Sequence, residues 1–221
     1  MNEKEPDFEK IAAQLANPSG EEGTVVANRM NESNGEMTLH TIGLLNINDG
    51  DRVLELGPGN AKFASYVLEK ANDVCYFGGD ISTLMIDEAK KNNQSYCEAG
   101  MASFRLLDGI SLPFESQFFH KIFTVNTLYF WENPAQQLDE LYRVLKPGGI
   151  LCIAIRSRNF METLPFTKYG FTLYSPEEGM ELFQQSSFQE ISYTVVSAAG
   201  ETFSGEPVVK EDVFFILRKS I

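Results

Sequence analysis

A glycine turn with an acidic residue just before it is the stretch of this sequence best suited to bind a ligand. Glu55 lies near the end of a short apolar run that begins at Val53, and Gly57 and Gly59 follow it in the series Glu-Leu-Gly-Pro-Gly. Glycine can adopt backbone angles closed to other residues, and it lets the main chain approach a ligand without a Cβ in the way. A helix expected to start near Asn60 would direct unpaired N–H groups to the same place. The stretch therefore predicts a buried parallel strand that turns sharply beneath a ligand.

The details of this turn separate two classes of nucleotide site. A dinucleotide-binding turn needs a third glycine, and the position where it would fall is Lys62. The Glu55 carboxylate would repel a pyrophosphate, but it suits a ligand that has positive charge. The turn thus favours a cationic ligand over a nicotinamide dinucleotide. A purely structural glycine turn after an α/β strand is the alternative.

Acidic residues also follow two later strands. Asp80 closes a predicted strand at residues 74–79, and Asp108 follows a short one at residues 103–107. Because the carboxyl ends of parallel strands meet at one edge of a sheet, we expect Asp80 beside the glycine turn and within reach of a ribose. As an alternative, Asp80 is simply a carboxylate favoured by the start of the next helix.

Apolar periodicity and breaker residues indicate that strands and helices alternate along the chain. The later predicted strands are residues 121–126, 150–155, 189–196 and 211–219. Ser82, Asn133-Pro134 and Ser175 are start signals for three of the helices. The last two strands have a Gly, Pro and Ser-rich connection with no room for a crossover helix, which predicts an antiparallel hairpin. Residues 156–174 have no clear period and are typical of a lid.

Helices are also predicted before the first strand. They cover residues 8–15, a stretch from about residue 24, and residues 36–45, with the polar residues 31–35 separating the last two. Since they precede the strand-helix alternation, they must cover an edge or the top of the sheet. A cap over the ligand and a packing appendage are both open. His40 in the third helix is a candidate general base at neutral pH, or else a packing or surface residue.

The composition excludes several classes of function. Hydrophobic residues make up 43% of the 221 residues and charged residues 22%, which is typical of a globular protein, and no run is long enough to span a membrane. A net charge of -13 without clustered Lys and Arg disfavours a nucleic-acid partner and favours a small molecule. The charged residues 1–10 lack a secretory signal and predict a cytoplasmic protein. The odd number of cysteines predicts reduced thiols.

The Glu-x-Gly-x-Gly series resembles the first motif of class I S-adenosylmethionine-dependent methyltransferases. The other matching stretches are Asp80-Ile81-Ser82, Asp108 before Leu112-Pro113-Phe114, and Leu145-Lys146-Pro147-Gly148-Gly149. Together they resemble the small-molecule group that includes ubiquinone and menaquinone biosynthesis methyltransferases. The resemblance implies an α/β, Rossmann-like fold with a seven-stranded, mostly parallel sheet in the order 3-2-1-4-5-7-6, strand 7 antiparallel and helices on both faces. It implies one domain, with residues 1–48 as an N-terminal helical cap and residues 49–221 as the core.

The resemblance also implies S-adenosylmethionine as cofactor, S-adenosylhomocysteine as product, and a role for each matching residue. The implied roles are Glu55 near the amino end of the cofactor, Gly57 and Gly59 along its amino-acid and ribose portion, Asp80 on the ribose hydroxyls, Ile81 against the adenine, Asp108 on the adenine amino group, and Asn126 at the methionine end. The third small position of the turn, usually glycine, is Ala61. Its extra methyl group is expected to weaken cofactor binding or to shift the position of the cofactor.

The predicted reaction is direct in-line transfer of a methyl group to a small molecule, which needs alignment and exclusion of water. Tyr129 and Trp131 are candidate walls of the substrate pocket, or else ordinary core aromatics. Two other functions are open: a binding module that lost turnover and, less favoured, an NAD(P)-dependent dehydrogenase. The two histidines form no zinc cluster, whereas a Mg²⁺ site of Asp and Asn is open.

Overall fold

The central sheet of the computed structural model has the predicted topology. The structure describes residues 6–202 and 205–221. Its strands are β1 (Arg52–Leu56), β2 (Cys75–Asp80), β3 (Ala102–Leu106), β4 (Phe119–Val125), β5 (Leu145–Arg156), β6 (Glu190–Glu201) and β7 (Pro207–Arg218). They lie in the order β3-β2-β1-β4-β5-β7-β6, and β7 is antiparallel to both of its neighbours. The other pairs are parallel, so the predicted order and hairpin are confirmed.

Helices pack on both faces of this sheet. They are α1 (Phe8–Ala16), α2 (Gly20–Leu44), α3 (Ala64–Leu68), α4 (Thr83–Asn92), α5 (Gln94–Glu98), α6 (Pro134–Val144), α7 (Arg158–Met161) and α8 (Pro176–Gln184). Val53 and Leu54 are neighbours on β1, point to opposite faces and are both fully buried. Val53 belongs to a core shared with α3 and α4, and Leu54 to a core shared with α6 and α8. Burial on both faces explains why the central strands are almost continuously apolar.

Helix starts follow the predicted capping signals. The Ser82 hydroxyl accepts from the Met85 N–H, and the Asn133 side chain caps α6, whose first residue is Pro134. Ser175 forms a full capping box at α8. Among the described residues no helix is long and apolar enough to cross a membrane, and the three cysteines are free thiols.

The predicted break between two N-terminal helices is wrong, because α2 is a single helix of 25 residues. Polar side chains in the expected loop make tertiary contacts instead of ending the helix. The Asn31 amide donates to Asn60 Oδ1 at 2.9 Å, and Gly35 lies opposite the Phe63 ring. Tertiary contacts thus override a weak local helix preference. Residues 1–5 of the predicted cap lie outside the described residues.

Three other boundaries differ from the predictions. The helix after the glycine turn begins at Ala64 rather than Asn60, because Ala61 and both turn glycines have positive φ angles that a right-handed helix does not allow. The last two strands extend into the expected connection, of which residues 203–204 lie outside the described part. Residues 156–174 form α7 and a short 3₁₀ helix. They pack on the core at Phe160, and none of them lines the cavity described below.

Candidate functional site

A cavity opens at the carboxyl edge of the central strands. It contains about 1190 Å³ of empty space, part of which is open to solvent. The ends of β1 and β2 and the segments that follow β3 and β4 form its floor and one wall, and α1 and α2 form the opposite wall. Open parallel sheets bind their ligands at this edge, at the point where the strand order reverses its direction. In this sheet that point is at β1.

The glycine turn gives the cavity its backbone surface. Gly57 and Gly59 line the cavity with φ angles of 71° and 56°. A Cβ on Gly57 would lie 2.5 Å from Thr127 Cγ2, so the turn has no room for a side chain there. Ala61 also has a positive φ, 51°, but its methyl group is buried in the core with α3 and α4. The methyl group does not line the cavity, so, contrary to the expectation from the sequence, we expect it to leave a bound ligand undisturbed.

The Asp80 carboxylate fastens the turn to the end of β2. It is 8% exposed and accepts from the Gly59 N–H at 3.0 Å and from the Ser82 N–H at 2.9 Å. Burial raises the pKa of Asp80 to about 6, although these backbone donors favour the charged form. Each carboxylate oxygen accepts one of the two bonds, so each retains a lone pair for a further donor.

Glu55 is a second buried carboxylate on the same side of the cavity. It is 6% exposed and accepts a hydrogen bond from the Tyr76 hydroxyl. Burial raises the pKa of Glu55 to about 7, and the negative charge of Asp80 adds to the rise. Among the described residues, no Lys, Arg or His forms an ion pair with either carboxylate. Two buried acids without a cation make this end of the cavity a site for a positively charged or donor-rich ligand.

Helix α2 supplies a wall that the sequence analysis did not identify. Ala27, Asn31, Asn34 and Thr38 line the cavity. Their spacing of four, three and four residues follows one face of a helix. This spacing was not recognised in the sequence because a loop was predicted at residues 31–35. Hydrogen bonds from Asn31 to Asn60 and from Asn60 to Asn28 join the helix to the glycine turn. The geometry thus places the N-terminal helices over the cavity.

The segment after β4 forms another wall. Asn126 lines the cavity with a φ of 57°, and its Oδ1 accepts from the Tyr129 hydroxyl at 3.1 Å. Tyr129 itself does not line the cavity, because its side chain is buried, and its hydroxyl oxygen accepts from the Arg156 N–H at 2.6 Å. The prediction that Tyr129 is a wall of the substrate pocket is therefore corrected. Its hydroxyl instead holds the Asn126 side chain in position. Trp131, the other expected wall, does line the cavity, as does Phe130.

Of the three remaining expected site residues, one lines the cavity and two do not. Ile81 lines it and is 43% exposed. The Asp108 carboxylate is exposed and accepts from the N–H groups of Ile110 and Ser111, so it closes its own loop rather than facing the cavity. His40 is exposed, and its ring packs 4.5 Å from the Phe214 ring on β7. A general-base role for His40 has no support from this placement.

No group of three or more His, Cys, Asp or Glu residues with metal-binding geometry occurs in the described residues.

Comparisons with known proteins find similarity to methyltransferases. Residues 54–153 match a family model described as a methyltransferase domain. An uncharacterized methyltransferase of Bacillus subtilis, YdaC, is 29% identical over 131 residues, which are 58% of this chain and 69% of that protein. An O-methyltransferase of Pyrenophora dematioidea is 28% identical over 53% of this chain, and the match spans only 44% of that relative's own length.

Solved structures share the fold over most of the chain. A Haloferax volcanii putative methyltransferase, solved in complex with the Trm112 methyltransferase activator, has a TM-score of 0.72 at 19% identity and covers 99% of this chain and all of its own. Haemonchus contortus phosphoethanolamine N-methyltransferase 2 has a TM-score of 0.70 at 15% identity, covering 89% of this chain and 57% of its own. It was solved with S-adenosylhomocysteine and phosphomonomethylethanolamine.

Proposed function

Because the chain belongs to the class I S-adenosylmethionine-dependent methyltransferases, we propose that it transfers the methyl group of S-adenosylmethionine to a small-molecule acceptor by in-line displacement. The observation that carries this proposal is the pair of buried acids, Glu55 and Asp80, at the glycine turn without a cation partner. A sulfonium cofactor with an ammonium group and a ribose supplies the charge and the donors that such a pair needs.

The residues present fit this cofactor. We assign Asp80 to the ribose hydroxyls, since each of its oxygens retains a free lone pair. Glu55 would lie toward the cationic amino end, and Gly57 and Gly59 would let the backbone approach the amino-acid and ribose portion. Ile81 would cover a face of the adenine, and Asn126 would line the methionine end. The proposed set thus keeps the cofactor-binding roles that the resemblance implies, except that of Asp108.

In this mechanism the protein positions the reactants and excludes water. The bound cofactor supplies an electrophilic methyl group on sulfur. In-line transfer would break the carbon–sulfur bond, leaving its electron pair on the sulfur, as the bond between the methyl carbon and the acceptor forms. Asn126, held by the Tyr129 hydroxyl, fixes the backbone at the end of β4, and α1 and α2 cover the reacting groups. Such alignment and closure are the main requirements of methyl transfer.

The walls that we leave for the acceptor are mostly apolar. Phe63, Phe130, Trp131 and Met30 line the cavity, which favours an apolar or aromatic acceptor over a highly charged one. The net charge of -13 argues in the same direction, against a nucleic acid. The resemblance to ubiquinone and menaquinone biosynthesis methyltransferases does not identify the acceptor, since the relatives above are named for other acceptors or for none.

The alternative function, a binding module without turnover, has no supporting feature at the cavity. Ala61 was the sequence feature that suggested it, and the Ala61 methyl lies in the core rather than in the cavity. A cytoplasmic location stays a prediction from the sequence.

Turnover can be tested with radiolabelled S-adenosylmethionine and fractionated metabolite extracts. The wild-type protein should label at least one extract component. Asp80→Ala should not, whereas Asp139→Ala, which removes an exposed carboxylate on α6, should label it normally. Failure of the wild type to label any component, although it binds the cofactor, would contradict an enzymatic function.

A further inference from the structure

Gln137 is a buried polar side chain at the cavity without a partner for one of its polar atoms. It lies on α6, is 5% exposed and lines the cavity. In the part of the chain that the structure describes, its Nε2 has no hydrogen-bond acceptor. Leaving a buried N–H donor unpaired destabilises the folded protein. Such an amide inside a binding cavity points to a group supplied by the ligand.

The contacts of α6 show which part of the cavity this amide faces. One helical turn further along α6, Glu140 accepts from the Leu112 N–H at 3.0 Å, and Arg143 donates to the Leu112 carbonyl at 2.9 Å. Residues three apart share a helix face, so Gln137 and Glu140 both lie beside the segment that follows β3. Gln137 thus belongs to the end of the cavity where Leu112 is a wall.

This end of the cavity suits a flat ring with a polar edge. Leu107 and Leu112 are apolar walls of the cavity, and the Gln137 amide is a polar group in the same lining. A primary amide holds a C=O acceptor and N–H donors side by side, which matches the amino group and adjacent ring nitrogen of adenine. The last torsion of a Gln side chain is broad, so turning the amide toward a bound ring costs little.

We propose that Gln137 recognises the hydrogen-bonding edge of the cofactor's adenine, the part that the resemblance had assigned to Asp108. The inference rests on the proposed function, because it takes S-adenosylmethionine as the ligand. Asp108 does not compete for this role, since its carboxylate is exposed and bound to its own loop. In this arrangement Glu55 lies toward the charged end of the cofactor, Asp80 binds the ribose, and Gln137 determines base specificity.

The test asks whether the affinity gained from the 6-amino group of the ligand depends on the Gln137 side chain. Calorimetry would measure the binding of S-adenosylhomocysteine and of its analogue with unsubstituted purine in place of adenine. In the wild type, loss of the amino group should weaken binding about tenfold or more. In Gln137→Met, which keeps the size of the side chain, the same change should cost less than about threefold. Gln136→Met, at an exposed neighbour on α6, should behave like the wild type.

A second readout separates ligand recognition from a structural role. The ligand-free Gln137→Met protein should have an unchanged or higher melting temperature, because the change removes a buried donor without a protein partner. If this variant does not fold, Gln137→Leu takes its place in the binding test. Equal losses of affinity for the analogue in wild type and variant would overturn the assignment. No binding of S-adenosylhomocysteine to the wild type would overturn the proposed function, and the Gln137 assignment with it.

Discussion

Glu55→Gln should stabilise the ligand-free protein and lower its affinity for the cofactor. Burial raises the pKa of Glu55 from 4.5 to about 7, so folding favours the protonated carboxyl. The stability that this group contributes is fully present below pH 4.5, and it is lost as the pH rises through about 7. The loss amounts to about 3 kcal/mol above pH 8. Glutamine is neutral at every pH and keeps an oxygen that can accept from the Tyr76 hydroxyl, so the variant avoids this loss.

Urea unfolding at two pH values measures the effect. The variant should exceed the wild type in free energy of unfolding by about 1 kcal/mol at pH 5.5 and by about 3 kcal/mol at pH 8.5. Glu181→Gln, at an exposed position on α8, is the matched control and should show no such widening. In calorimetry at pH 8.5, S-adenosylmethionine should bind Glu55→Gln about tenfold to a hundredfold more weakly, because a charge-assisted contact is lost.

A variant that is less stable than the wild type at pH 8.5 would refute the reasoning, since it would show that the Glu55 charge stabilises the fold. A stability gain without loss of cofactor affinity would place the cationic end of the ligand elsewhere.

Three further substitutions test the glycine turn. Asp80→Ala removes the acceptor of two backbone N–H groups as well as the proposed ribose contact. The free energy of unfolding in urea should fall by about 2 kcal/mol or more, and the affinity for the cofactor in calorimetry by about tenfold or more. If neither quantity changes, both roles of Asp80 are contradicted. Gly57→Ala should lower the melting temperature by an amount equivalent to about 2 kcal/mol or more, because its Cβ would meet Thr127 and its φ is 71°, and an unchanged melting temperature would contradict the turn geometry. Ala61→Gly should leave the dissociation constant of S-adenosylhomocysteine within about twofold of the wild-type value, and a clear gain in affinity would show that the methyl does reach the ligand.

Much of the fold follows from local signals in the sequence. The strand order was predictable because apolar runs, capping residues and a short final connection each have a local physical cause. The same signals located Glu55 and Asp80, since a residue at the end of a buried parallel strand must emerge at the cavity edge.

The direction of individual side chains was less predictable. Asp108 also follows a strand, but a tight turn lets its carboxylate accept from the N–H groups two and three residues ahead. Its side chain therefore does not line the cavity, although residues 109–112 do. Tyr129 and Trp131 are two residues apart in one short segment, yet only Trp131 lines the cavity. Their difference depends on the 3₁₀ turn at Leu128–Phe130, which has no distinct sequence pattern.

The α2 wall was missed for a related reason. Asn31 and Asn34 lie in a polar stretch that favours a loop by composition. The stretch is helical because the Asn31 amide bonds to Asn60 at the glycine turn and both asparagines line the cavity. A partner that lies 29 residues further along the chain cannot be inferred from local propensity.

The central claim is that the cavity at β1 and β2 is a site for S-adenosylmethionine and its product. Isothermal titration of the wild-type protein with S-adenosylhomocysteine and, separately, with NAD tests it most directly. We expect S-adenosylhomocysteine to bind one molecule per chain, Asp80→Ala to bind it more weakly, and NAD to give no heat of binding. Binding of NAD without binding of S-adenosylhomocysteine would contradict the account.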